Sequence, residues 1–178
     1  MRIAISSRSG CGNTTVTRLL SEKLGYPMIN FTFRQMADER GVDFWTFCRM
    51  AENDYDIDRE LDRRQVEMAM AVPDCVLGSR LAIWMLKDAD LKVYLTASAE
   101  TRASRIQKRE GGTFEERYNQ TVTRDSNDTQ RYMKIYGIDN TSAEEVADLV
   151  IAADEKSPEE IVDIIIGAVR KKESGVLA

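Results

Sequence analysis

The sequence has no histidine, three cysteines and no apolar run of membrane-spanning length. Without histidine there is no Ser-His or Cys-His nucleophile pair and no imidazole ligand for a metal. Acid, base and ligand roles therefore fall to carboxylates, Lys, Arg, hydroxyls and backbone. Cys11, Cys48 and Cys75 are odd in number and widely spaced, with no CxxC pair, which argues against a disulfide framework or a structural zinc site; free thiols are expected. No window approaches the roughly 18 apolar residues that a membrane helix needs. Residues 1–6 run straight into a strand pattern without a leader-like apolar stretch, so the expected location is the cytoplasm. Positive charge is in deficit too: the net charge of −5 leaves no extended basic surface for a nucleic-acid backbone. Neither nucleic acid nor membrane is an expected partner, and any anion site must be local.

What is present fits a single domain, residues 1–178. The hydrophobic fraction of 43% and charged fraction of 31% are those of a globular protein of ordinary core size, with no repeat or low-complexity tract. Strand patterns at 2–6, 28–31, 75–77, 91–95 and 149–152 alternate with helical patterns. The first helix carries Val16, Leu19, Leu20 and Leu24 and stops at Gly25. Helices are expected at about 33–39, 43–50, 56–71 (with Ile57, Leu61 and Met68 on one face), 98–110 and 114–136. Ser157-Pro158-Glu159-Glu160 then opens a last helix whose core face is Ile161, Ile164, Ile165, Ala168 and Val169; residues 171–178 are expected to fray. The alternation implies an α/β fold with a parallel sheet of about five strands and helices on both faces.

Between the first strand and helix lies Ser7-Arg8-Ser9-Gly10-Cys11-Gly12-Asn13-Thr14-Thr15. A glycine-rich turn in this context aims successive backbone N–H groups into a concavity, and the helix dipole adds positive potential suited to phosphate. Thr14 or Thr15 can cap the helix or offer a hydroxyl to Mg²⁺. The pattern departs from G-x-x-x-x-G-K-[ST]: its leading glycine is Ser7 and its lysine is Asn13. Cationic charge must come from elsewhere. Cys11 sits at a helix N-terminus, where a thiol pKa can fall and oxidation could block the phosphate site; the other reading is a small side chain that fits the loop.

Two helices offer the missing charge. Arg102, Arg105 and Arg109 share one helix face, with Lys108 adjacent, and Arg117, Arg124 and Arg131 recur every seven residues on the next helix with Asp128 on the same stripe.

Together with the lysine-free loop, several segments resemble the small nucleoside monophosphate kinases, and most closely cytidylate kinases of archaeal type. These are Phe33-Arg34, Asp58-Arg59-Glu60-Leu61-Asp62-Arg63, Ser79-Arg80-Leu81-Ala82, the run from Arg102 to Gly111, the run from Arg124 to Tyr132, and Tyr136-Gly137-Ile138-Asp139. The resemblance covers nearly the whole chain. It implies a P-loop kinase fold with a core at 1–30, 74–97 and 147–172, an NMP-binding segment at about 31–72 and a lid at about 102–131. It implies ATP as donor, Mg²⁺ as cofactor and phosphoryl transfer to CMP, with dCMP as a further acceptor, by a monomer or small homo-oligomer that binds small nucleotides.

Carried onto this chain, the resemblance gives the donor triphosphate to Arg8, Ser9, Gly10, Cys11, Gly12, Asn13, Thr14 and Thr15, with Thr14 as the Mg²⁺ hydroxyl. Arg105 and Arg109 become lid cations. Arg34 and Arg80 grip the acceptor phosphate, Arg80 also acting in catalysis, while Arg124, Asp128 and Arg131 contact the acceptor nucleotide. Lys156 falls near the donor adenine. The sequence departs from the family at Gly78-Ser79, where relatives tend to have an acid and a glycine before the arginine. Two other readings stay open: a catalytically impaired nucleotide-binding protein, and a P-loop kinase with another small acceptor.

Overall fold

In the computed structural model, residues 1–175 are described, with only the backbone of Trp45 and Glu52. The elements in chain order are β1 (Arg2–Ser7), α1 (Asn13–Leu24), β2 (Met28–Ile29), α2 (Phe33–Glu39), α3 (Phe44–Asn53), α4 (Tyr55–Met70), β3 (Cys75–Gly78), α5 (Ala82–Met85), β4 (Leu91–Thr96), α6 (Ala99–Glu110), α7 (Phe114–Tyr136), a 3-10 turn (Ala143–Glu145), β5 (Leu149–Ala152) and α8 (Pro158–Glu173). All five strands are parallel, in the order β2-β3-β1-β4-β5. Each strand returns through a helical crossover, which is what a parallel pairing requires.

Alternation along the strands sorts the core into two layers. Ile3, Ile5, Val76, Val93 and Leu95 meet Val16 and Leu20 of α1 and Ile161, Val162, Ile165 and Val169 of α8. The intervening Ala4, Leu77 and Tyr94 face the other way, onto Ala69 of α4 and Ala82, Ile83 and Leu86 of α5. Both faces are covered, so the strands read as continuous apolar runs. Helices α2 to α4 add a third cluster of Phe31, Met36, Ala37, Phe47, Ala51 and Ile57, in which Phe33 meets Phe47 edge to face at 5.7 Å. β1 lies where the strand order changes direction, and the crevice beyond its carboxyl end is where such sheets bind ligands. No helix among the described residues is long and apolar enough to cross a membrane.

The helix stops at Gly25 and Gly137 both fall in the left-handed region, and Ser157 forms the expected capping box with Glu160. Several expectations are corrected. β2 pairs only at Met28–Ile29, because Phe31 turns into the α2–α4 cluster. α8 continues through Glu173, and its last turn carries Arg170, Lys171 and Lys172 against the negative end of the dipole; residues 176–178 of the expected frayed tail lie outside the described residues. Ile164 is exposed and Val162 takes its core place. The short α5 and the 3-10 turn carry too few residues to register as periodic patterns.

The largest correction concerns α4. Met68 is 41% exposed, and the buried face is Ile57, Asp58, Asp62, Gln65 and Ala69. This face is polar because each polar group has a partner from another element. Gln65 Nε2 donates to Phe31 O at 2.8 Å, Tyr136 Oη donates to Asp62 Oδ2 at 2.5 Å, and Arg131 donates to Asp58. Burial, reinforced by Asp58, raises the Asp62 carboxyl to about 6, against the counter-pull of the Tyr136 hydrogen bond.

A pH prediction follows from that shift. The folded pKa of Asp62 lies above the ordinary 3.8, so the folded state holds the proton more tightly and the stability from this group is full in acid and lost as pH rises through about 6. Asp62→Asn, which keeps an acceptor for Tyr136, is expected to flatten the dependence. The change in unfolding free energy between pH 5 and 7.5 should differ from wild type by about 1–1.5 kcal/mol in urea melts at the two pH values.

Candidate functional site

The loop from Ser7 to Gly12 turns sharply at the end of β1, and the two glycines that make the turn have φ of 87° at Gly10 and 94° at Gly12. Gly10 has a second reason to lack a side chain: a Cβ there would lie 2.9 Å from Cβ of Arg102. Gly12 caps α1 without any side-chain hydrogen bond, so the first-turn N–H groups of a 12-residue helix stay available to an anion. Around them opens a cavity of about 460 Å³. All of residues 7–16 line it, together with Gly78, Ser79 and Arg80 from the end of β3, Arg105 and Arg109 from α6, and Lys156, Pro158 and Ile161 after β5. All the expected donor-loop residues, Arg8 to Thr15, are thus brought together with Arg105, Arg109 and Lys156.

The residue in the lysine position plays a different part. Asn13 Nδ2 donates to Ile5 O at 3.1 Å and to Ser79 O at 3.4 Å, and its Oδ1 accepts from Thr17 Oγ1 at 2.8 Å. The amide thereby ties α1 to the ends of β1 and β3. An ammonium has no acceptor with which to satisfy Thr17. Next to it, a Cβ on Gly78 would lie 2.2 Å from Thr17 Oγ1 and 2.8 Å from Asn13 Oδ1. The two departures from the family pattern, at 13 and at 78, therefore share one space: with Asn13 and Thr17 in place, position 78 cannot carry a carboxylate.

The arginines fall into three groups. Arg102 is buried beneath the loop, where Nη1 donates to Ser9 O at 3.2 Å, Nε donates to Ala97 O at 3.1 Å, and the guanidinium pairs with both carboxylate oxygens of Asp125 at 3.0 and 2.6 Å. Arg8 reaches the same carboxylate at 3.4 Å. Arg105 binds the loop edge, donating to Cys11 O at 3.4 Å and Ala153 O at 2.5 Å, whereas Arg109 is exposed and paired with the neighbouring Glu110 at 2.5 Å. Arg80 pairs with Asp128 at 2.6 Å. Desolvation and the like charge of Arg80 hold the Arg124 guanidinium below the usual arginine range, against the opposing pull of Asp128.

Of the expected acceptor residues only Arg80 lines that cavity; Arg34, Arg124, Asp128 and Arg131 do not. Arg131 donates to Asp58 and, at 3.0 Å, to Ala51 O, and borders a separate hollow of about 240 Å³ with Asp128, Tyr55 and Lys134. The Arg34 guanidinium stacks 4.3 Å over the Phe44 ring. The expectation for Cys11 is corrected: the residue is 2% exposed, and burial raises its thiol despite the opposing pull of Arg102 and Arg105. A thiol raised in this way is not an activated one. Sequence reasoning missed the Arg102–Asp125 pair, although both residues sit in the segments that carry the resemblance. The spacing groups Arg102 with Arg105 and Arg109, but spacing does not say which of the three turns inward.

A parallel sheet with an anion-receptive loop at its switch point and converging arginines defines a P-loop kinase. A solved structure of shikimate kinase from Bacteroides thetaiotaomicron has this fold, with a TM-score of 0.62 at 17% identity, covering 96% of this chain and 98% of that one. The model of the cytidylate kinase-like family matches residues 2–155. Cytidylate kinase 2 of Borreliella afzelii is 45% identical over 154 residues, 85% of this chain and 86% of that protein. Cytidylate kinase of Thermococcus sibiricus is 44% identical over 153 residues, 84% and 77% of the two chains. The chain belongs to the cytidylate kinase-like family, and it is a nucleoside monophosphate kinase.

The pair beneath the loop gives a stability prediction. Asp125→Ala leaves the Arg102 guanidinium, 3% exposed, without its counter-charge. The expected loss is about 3–5 kcal/mol of unfolding free energy, read from denaturant melts.

Proposed function

We propose that this protein transfers the γ-phosphoryl group of ATP to CMP, and to dCMP, within the cavity at the end of β1. The observation that carries the reading is the convergence on one cavity of a helix N-terminus with uncapped N–H groups and of three arginines, Arg80, Arg105 and Arg109, from two other elements. Phosphoryl transfer needs in-line placement and charge neutralisation rather than a protein nucleophile, so the absence of histidine is no obstacle. On this reading the donor triphosphate lies along residues 8–15, with Arg105 and Arg109 above it and Lys156 toward the base. The acceptor phosphate lies between Arg80 and Arg34, with Asp128 for a ribose hydroxyl and Arg124 and Arg131 for the base or phosphate.

Mg²⁺ suits the oxygen donors present. The hydroxyl of Thr14 and the ligand's own phosphates can hold it with retained waters, and no group of three or more acidic or cysteine side chains suited to a metal occurs among the described residues. When bound it would neutralise charge on the transferred phosphoryl group. The protein's own contribution is the backbone cradle, which fixes the donor, and the guanidiniums, which follow charge as it develops. Helices α2–α4 serve as the NMP-binding segment and α6–α7 as the lid. The partners are small nucleotides, in the cytoplasm, for a monomer or small homo-oligomer.

A coupled assay with ATP and each of CMP, dCMP, UMP, AMP and GMP tests the reading. Turnover of CMP is expected to lead, and no turnover of any acceptor by folded protein overturns the reading in favour of nucleotide binding without catalysis. The lysine-free loop makes a second prediction. Arg105→Ala combined with Arg109→Ala is expected to lower kcat by at least the 10²–10³-fold commonly seen on losing one electrostatic donor, and near-normal turnover would show that the charge comes from elsewhere.

A further inference from the structure

Ser79 stands in the wall of the phosphate cavity, between Gly78 at the end of β3 and Arg80. Its backbone is engaged on both sides: the N–H donates to Ile5 O at 3.1 Å, and the carbonyl accepts from Asn13 Nδ2 at 3.4 Å. Its hydroxyl is buried and, among the described residues, is the one buried side-chain polar atom without a hydrogen-bond partner. Such a group costs folding about 1–3 kcal/mol and is uncommon. The two hydroxyls at the neighbouring end of β1 are both used, Ser6 Oγ accepting from Ile83 N and Ser7 Oγ donating to Arg8 O. The exception at 79 is thus local to the cavity.

We propose that Ser79 is a ligand-binding residue of this site, whose hydroxyl donates a hydrogen bond to a phosphoryl oxygen held between the loop and Arg80. The inference rests on the phosphate reading of the cavity. Serine has a single heavy-atom torsion with three staggered wells, so the hydroxyl can turn to a ligand oxygen without moving a backbone that is pinned at both its N–H and its carbonyl. A hydrogen bond to a phosphate oxygen is charge-assisted, and stronger than a neutral one. It also supplies a donor close to where the amide of Asn13 is committed to Ile5, Ser79 and Thr17 and offers the ligand none.

The test exploits opposite signs. Ser79→Ala removes an unsatisfied group from the free protein and a hydrogen bond from the complex. The ligand-free protein is expected to melt about 2–4 °C higher. Affinity is expected to fall about 10-fold or more, as for hydrogen bonds to charged groups. Calorimetry is run in two arms, with a non-hydrolysable ATP analogue alone and with CMP alone; the arm that loses affinity identifies which nucleotide's phosphate Ser79 holds. Ser79→Gly should lose the same affinity. Wild-type affinities report on the site itself, and binding of neither nucleotide overturns the reading and the inference together. Wild-type binding that Ser79→Ala leaves unchanged in both arms overturns the inference alone, as does a lowered melting temperature in Ser79→Ala.

Discussion

The site depends on one buried guanidinium. Arg102 lies beneath the phosphate loop and is shared between the loop carbonyl of Ser9, the strand-end carbonyl of Ala97 and the carboxylate of Asp125 on α7. A loop that presents N–H groups to a ligand must turn its carbonyls the other way, and those carbonyls need donors of their own. Arg102 supplies one from a side chain that solvent does not reach, and Asp125 balances its charge. Gly10 completes the arrangement, because the loop backbone approaches Arg102 more closely than any side chain would permit. The same residue also joins the loop to both helices of the α6–α7 hairpin, so the cradle and the surface that carries Arg105 and Arg109 are built as one unit.

Replacement of the usual loop lysine then has a structural reading. Asn13 trades a mobile cation for a fixed connector between α1, β1 and β3, and the space it shares with Thr17 leaves room only for glycine at 78. Restoring a lysine at 13 would withdraw Thr17's acceptor, and restoring an acid at 78 would collide with Thr17. The positive charge lining the cavity comes instead from Arg8 in the loop and from Arg80, Arg105, Arg109 and Lys156 on neighbouring segments.

The core sheet was legible in the sequence because each strand is a short apolar run bounded by turn residues, and β1, α1 and the loop between them could be placed nearly to the residue. The capping box at Ser157 and the stops at Gly25 and Gly137 were legible for the same reason: each rests on local chemistry. α4 was not legible in this way. Its inward face is Asp58, Asp62 and Gln65, and a search for apolar periodicity assigns Met68 to the core because it cannot see Tyr136 or Arg131 arriving from more than sixty residues away. Cys11 failed for a related reason. Its place at a helix N-terminus is a local fact, but its burial against the sheet is a tertiary one, and burial dominates the thiol. Arg131 and Arg34 illustrate the limit of spacing: a stripe of arginines identifies a helix face but does not say which members are already paired within the protein.

That pairing bears on how the acceptor side works. Along α7, Arg131 is held by Asp58 of α4 and Arg80 is held by Asp128, so the guanidiniums are kept in place by carboxylates while no phosphate is present. An arginine left unpaired beside Arg124 would face like charge across a partly desolvated gap, which is unfavourable in the free protein. A carboxylate partner at 2.6 Å relieves that repulsion and fixes the orientation of Arg80. An incoming phosphate, with more oxygens and more charge than a carboxylate, can take the place of Asp128 at the guanidinium. On the proposed reading, the freed carboxylate is then an acceptor available to a ligand hydroxyl. Pairing in the free protein and recognition in the complex, on that reading, use the same side chains.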